Sequence, residues 1–263
     1  MERRLNRRGH RPARSMQLDF DDVVYGIHTV YETLAAGEGL RTIHVARDRK
    51  KDPPLRKLLD RAREGNVQVR FEDRAFFAQL PFKAHQGVVG IAPPFDYAAL
   101  EDVLHATRGG PALYVVLDHL TDPHNVGAIL RTAEAAGASA VILPERRAAG
   151  VNATVRKSAA GAAARIPVAR VANVARTIAR LKEAGVLVLG ADAGPDALAM
   201  GRADLSGDVA IVIGAEGAGL APLVKRECDA LVKIPMLGAL ASLNASVAAA
   251  VLLYEAVRQR SPR

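Results

Sequence analysis

The chain has no tryptophan, one cysteine, six phenylalanines and five tyrosines among its 263 residues. A lone Cys228 excludes an internal disulfide and fits a reducing compartment. No apolar run reaches the roughly 18 residues of a membrane span. The N-terminus lacks the apolar segment of a secretion signal, so a cytoplasmic protein is expected, with no membrane partner. With so few aromatics, the core must be built from Ala, Val, Leu and Ile, as where helices pack on a parallel sheet. No internal repeat is present.

Charge is abundant but uneven. The net charge is +8, and Arg3, Arg4, Arg7, Arg8, Arg11 and Arg14 stand against Glu2 alone at the start of the chain. An arginine-rich arm over 1–18 without apolar periodicity is expected to be disordered when free. It would attract polyanions through phosphate contacts and counterion release, with Arg3, Arg4, Arg7 and Arg8 as RNA contacts. The alternative is a solvated tail that aids solubility.

Residues 19–93 read as a small α/β domain. A helix is expected over 26–34, a strand over 42–46, a helix from Pro54 closed by Gly65, and strands over 67–71 and 88–92. Pro93-Pro94 breaks regularity, and 94–110 reads as a linker containing a short helix. Within 111–263, buried strands are expected at 113–117, 140–143, 186–189, 209–213 and 231–234. Helices are expected from the 118–125 turn to Gly137 and over 173–184, 222–228 and 242–258, with Asn173 and Ser242 as N-caps. Alternating strands and helices imply a mostly parallel, Rossmann-like sheet covered on both faces.

Three segments place polar groups and bare glycine where strands should end, which is where open α/β sheets bind ligands. They are Asn125–Arg131, Val212–Leu220 and Ile234–Asn244. The glycines at 214, 217 and 219 allow close backbone approach to a ligand. Their spacing matches neither a phosphate-cradling loop nor a dinucleotide fingerprint, so a nucleotide held by base and ribose fits better; a plain tight turn is the alternative. Glu216 would orient a cation or bind a ligand, or be an exposed loop carboxylate. Arg131, read as near the same helix end as Asn125, would clamp phosphate or pair with Glu134. Ser242 would cap the last helix, while the Asn244 amide suits a hydroxyl or a ribose. His85-Gln86-Gly87 would touch RNA or form a turn. Asp118, His119, Asp122 and His124 match no metal signature, and Ser242 lacks a nucleophile elbow. No metal is expected.

These residues resemble the SpoU/TrmH branch of the SPOUT RNA methyltransferases. The pattern N-x-G-x-x-x-R stands at Asn125, Gly127 and Arg131. G-x-E-x-x-G-L stands at Gly214, Glu216, Gly219 and Leu220, and I-P-M-x-G-x-x-x-S-L-N runs from Ile234 to Asn244. The likeness spans 112–259. Tyr25–Val30 and His85–Gly87 resemble the L30e-like domain that binds RNA substrate. Thr121–Asn125, Asn152–Thr154 and Lys157–Ala162 are most similar to members that methylate guanosine in 23S rRNA. Ala245, where valine is usual, and the arginine-rich head depart from the pattern.

The resemblance implies a trefoil-knotted α/β fold, S-adenosyl-L-methionine as cofactor, and a homodimer in which each site borrows from its neighbour. It places Gly214, Ile234 and Leu243 at the cofactor, with Met236 nearby. Asn125, Arg131, Glu216, Ser242 and Asn244 would form the catalytic set. In that set Arg131 acts as clamp and oxyanion stabiliser, the two asparagines orient the ribose, and Glu216 holds the arginine or an asparagine. The implied reaction is methylation of a guanosine ribose 2'-hydroxyl in 23S rRNA. A tRNA ribose methyltransferase of the same fold, or a non-catalytic rRNA-binding protein, are the alternatives.

Overall fold

The computed structural model describes residues 22–37, 39–50, 52–106 and 109–261. The arm 1–18, with Arg3, Arg4, Arg7 and Arg8, lies outside the described residues.

Strands β1 (Val23–Tyr25), β2 (Thr42–Ala46), β3 (Gln68–Glu72) and β4 (Val88–Ile91) form a mixed sheet in the order β1-β4-β2-β3. Helices α1 (Ile27–Ala35) and α2 (Pro53–Glu64) bury Val30, Leu34, Leu55 and Leu58 against it. Asp52 caps α2 by accepting the Leu55 amide at 3.0 Å, and Gly65 closes it. A short helix α3 (Arg74–Ala78) follows β3. Three residues of β1 and five of α3 are too few to show a period, so neither was legible in the sequence.

The segment after β4 is no free tether. Phe95 and Tyr97 pack on the larger core, Ala98 pairs beside Ala169, and α4 (Leu100–His105) buries Val103.

The larger sheet has seven parallel strands. In chain order they are β5 (Leu113–Leu117), β6 (Ala140–Pro144), β7 (Val168–Val171), β8 (Leu187–Ala191), β9 (Leu198–Ala199), β10 (Val209–Ile213) and β11 (Ala230–Lys233). Their order across the sheet is β7-β6-β5-β10-β8-β11-β9. Every residue of β5, β6 and β10 is buried, as continuous apolar runs between two helical layers should be. One layer holds α5 (Pro123–Ala135), α6 (Ala153–Ala159) and α9 (Ala245–Arg260); the other holds α4, α7 (Val174–Glu183) and α8 (Pro222–Glu227). The mostly parallel α/β architecture is as expected. Strands β7 and β9 and helix α6 were not read from sequence, because an arginine interrupts one strand, another has two residues, and α6 has barely two turns.

Candidate active site

From β5 the chain steps outward through β6 to β7, then returns to build β8 and β10 on the other side. The crevice between β5 and β10 is therefore the place where strand order reverses, and ligands of open parallel sheets bind there. The loops leaving β5, β10, β8 and β11 open at this one edge.

Asp122 caps α5 by accepting the His124 amide at 2.9 Å, with Pro123 at the first helical position, which puts Asn125 in the first turn. The loop after β10 is drawn tight by paired backbone bonds between Ala215 and Gly219 (3.0 and 2.8 Å) and holds Glu216 out. A Cβ on Gly214 would lie 2.3 Å from the Gly219 carbonyl carbon, so only glycine fits.

The last helix corrects the expectation for its start. Ser242 does not cap it; α9 begins at Ala245, and Asn244 is the N-cap, accepting the Ser246 and Val247 amides at 2.9 and 3.3 Å. Asn serves as well as Ser here because its Oδ1 takes the helix amides while Nδ2 stays free to donate elsewhere. That Nδ2 donates to Asn125 Oδ1 at 3.0 Å and to Glu216 Oε1. Asn125 Nδ2 donates to the same Glu216 Oε1 at 3.0 Å. Three residues from three distant segments thus close a triangle, with Asn125 buried and Glu216 and Asn244 exposed. One amide–amide bond and two amide–carboxylate bonds fix the orientation of both asparagines.

Beside the triangle lies a cavity of about 350 Å³ whose lining includes Gly214, Glu216, Ile234, Met236, Ser242 and Leu243. Asp192, just past β8, and Leu252 of α9 also line it and carried no sequence signal, since neither belongs to a recognisable motif. Burial pushes the Asp192 carboxyl up, but hydrogen bonds from Lys225 (2.9 Å) and the Gly194 amide (2.7 Å) outweigh this and hold it below its usual range. Apolar walls suit a purine base, and the carboxylates and the Ser242 hydroxyl suit ribose hydroxyls or an ammonium.

Arg131 is not brought to this cavity. Asn125 is the third residue of α5 and Arg131 the ninth. Six residues turn the helix about 240° and advance it about 9 Å, so Arg131 is exposed on another face, beyond the reach of the helix N-terminus. Nor does it pair with Glu134, which accepts from Arg165 at 3.0 Å. Motif glycine Gly127 serves packing instead: a Cβ there would meet Ser158 Cβ at 2.4 Å and the Val155 carbonyl at 2.7 Å, so α5 and α6 approach in contact.

His85 Nδ1 accepts the Gly87 amide at 2.9 Å, and burial lowers its pKa. It holds a turn in the small domain. Asp118, fully buried, accepts the Ala221 amide (2.7 Å) and bonds His119 Nδ1 (2.5 Å). Burial pushes the Cys228 thiol up to about 12, which leaves it a poor nucleophile.

The SpoU rRNA Methylase family model matches residues 112–254, more than half the chain. The chain belongs to this family. A second model, RNA 2'-O ribose methyltransferase substrate binding, matches residues 23–98, which hold the four-stranded sheet. The chain is 41% identical over 244 residues to the 23S rRNA (guanosine-2'-O-)-methyltransferase RlmB of Pseudomonas syringae, covering 91% of this chain and 96% of that one. It is equally 41% identical over 252 residues to an uncharacterized tRNA/rRNA methyltransferase of Mycolicibacterium paratuberculosis, covering 95% and 81%. In structure it is similar to the SpoU methyltransferase AviRb of Streptomyces viridochromogenes in complex with AdoMet. That match has a TM-score of 0.77 at 28% identity and covers 90% of this chain and 89% of that one. The protein is therefore an S-adenosyl-L-methionine-dependent RNA 2'-O-methyltransferase with the fold of the SpoU group.

Proposed function

We propose that this enzyme methylates the ribose 2'-hydroxyl of a guanosine in 23S rRNA, in the cytoplasm. The Asn125–Glu216–Asn244 triangle at the rim of the cavity carries the chemical part of this reading. The similarity to RlmB supports the choice of RNA. Residues 19–93 serve as the substrate-binding unit, joined by 94–110 to the catalytic unit over 111–263.

Gly214, Ile234, Met236 and Leu243 hold the cofactor, which when bound supplies an electrophilic methyl group on a sulfonium centre. A ribose hydroxyl is a poor nucleophile near neutrality, so placement must supply much of the rate. Both asparagine amides converge on Glu216 Oε1, which leaves Oε2 to accept from the ribose. The Ser242 hydroxyl faces the same cavity. Arg131, always charged and able to fork onto phosphate, clamps the RNA and stabilises the developing oxyanion.

Because Arg131 faces away from its own chain's cavity, it serves the site of a second subunit. A homodimer is supported by α9, where Val247, Ala250, Val251 and Tyr254 recur at helical spacing and Val247 and Tyr254 are exposed. Leu237 and Leu240, in the loop before α9, are exposed as well. Such a stripe marks an interaction surface on an otherwise soluble domain.

Mapping ribose methylation across rRNA and tRNA in a strain lacking the protein tests the substrate. One guanosine mark in 23S rRNA should vanish. A mark lost from tRNA with all rRNA marks retained would overturn the rRNA reading in favour of tRNA. Calorimetry with S-adenosyl-L-methionine separates the enzyme from an rRNA binder with a decayed site, which would give no heat of binding.

A further inference from the structure

Next to the site, loop 145–152 leaves the carboxyl end of β6 and leads into α6. It is fixed at several points. The Glu145 carbonyl accepts from Arg170 at 3.0 Å, the Ala149 amide donates to the Leu120 carbonyl at 2.9 Å, and the Val151 amide donates to the Tyr97 hydroxyl at 2.8 Å. Asn152 then caps α6 through the Thr154 and Val155 amides, each 3.0 Å away. Leu120 lies in the short segment between β5 and Asp122, the cap of α5. The loop is thereby held against the stretch that delivers Asn125.

At its tip Arg146 and Arg147 are exposed. Among the described residues, some arginines are engaged, as Arg165 is with Glu134 and Glu32, Arg170 with a carbonyl and the Tyr97 ring, and Arg258 with Glu255, while others, Arg131 and Arg202 among them, are not. The side chains of Arg146 and Arg147 have no such partner there, and the neighbouring Glu145 carboxylate, also exposed, pairs with neither. Arg147 is held at φ 58°, in the left-handed region that a bulky side chain enters only at a cost. Strain of this kind persists where the surroundings enforce it, and it gathers at ligand sites. A well-anchored loop with two unengaged guanidiniums at a strained tip suits a phosphodiester. Guanidiniums fork onto phosphate oxygens, and phosphate contacts position a nucleic acid without reading its sequence.

We propose that Arg146 and Arg147 grip the RNA backbone beside the nucleotide being methylated, giving the catalytic domain a substrate-docking surface of its own. The inference rests on the protein acting on rRNA. Its test compares wild type, Arg146→Ala/Arg147→Ala and Arg146→Lys/Arg147→Lys on an unmodified 23S rRNA transcript, measuring RNA binding against KCl concentration and methyl transfer at steady state. The double alanine variant should flatten the slope of log affinity against log salt by about 1.4, from two lost contacts to single-stranded phosphate. Its KM for RNA should rise on the order of tenfold, with the KM for S-adenosyl-L-methionine unchanged. The double lysine variant should keep the slope, which counts charges, and lose only part of the affinity. Arg147→Asn tolerates a left-handed backbone; it should melt no lower than wild type while losing about half of the salt effect. An unchanged slope and RNA KM in the double alanine variant would overturn the inference, as would an effect confined to the cofactor KM. A wild type that methylates only tRNA would overturn the rRNA reading instead, and would be visible before any variant is compared.

Discussion

Asn244 does two jobs with one amide, and the two can be separated. Its oxygen caps α9 while its nitrogen ties Asn125 to Glu216. Asn244→Ala removes both, and urea unfolding should show a loss of about 1 kcal/mol from the missing cap. Asn244→Asp keeps the capping oxygen and loses the donor. Its unfolding midpoint should stay near wild type while methyl transfer falls roughly a hundredfold, the scale of a lost orienting contact. Methyl transfer near wild type in Asn244→Asp, with the loss confined to Asn244→Ala, would mean that the cap alone matters. Arg131→Lys keeps the charge and loses the fork; turnover close to wild type would remove the clamp role. The motif residues were legible as candidates because open α/β sheets bind ligands at the carboxyl ends of their strands. Which of them would meet was not legible, since 119 positions separate Asn125 from Asn244.

Among elements, α6 decides how α5 is held. Gly127 sits against Ser158 and the Val155 carbonyl, so Gly127→Ala forces the helices apart. Overpacking of this kind should cost about 1–3 kcal/mol, read as a lower melting temperature. A wild-type melting temperature would show that the α5–α6 contact yields freely. The buried strands were readable because parallel strands covered on both faces are uninterrupted apolar runs, and β5 and β10 match the expected ranges residue for residue. Short elements escaped for the opposite reason: in β1 or β9 the strand exists because a neighbour supplies its hydrogen bonds, and no period of its own announces it.

At the scale of the molecule, α9 ties the end of the chain to the sheet and presents a face outward. Arg260 donates to the carbonyls of Leu205 (2.8 Å), Pro111 (3.0 Å), Ala112 (3.0 Å) and Gly207 (2.6 Å). One turn earlier, hydrogen bonds from Arg258 and Gln259 hold the nearly buried Glu255 at about 2, down from 4.5. A carboxylate whose folded pKa is depressed adds stability above its unfolded value, and that contribution is lost as pH falls. The melting temperature should therefore fall from about pH 4.5 toward 2, and Glu255→Gln should flatten that part of the profile; an unaltered profile would place the acid sensitivity elsewhere. On the outward face, Val247→Asp with Tyr254→Asp should leave a monomer by light scattering, without methyl transfer. A dimer that persists would move the interface away from α9.

Composition and local pattern were enough to specify a parallel α/β sheet, five of its strands and three loops rich in chemistry, because burial and strand ends leave their mark within a few residues. The meeting of Asn125, Glu216 and Asn244, the exclusion of Arg131 from its own cavity, and the recruitment of Asp192 and Leu252 depended on the reversal of strand order between β5 and β10. That reversal joins residues far apart in the chain, and no short-range periodicity can encode it.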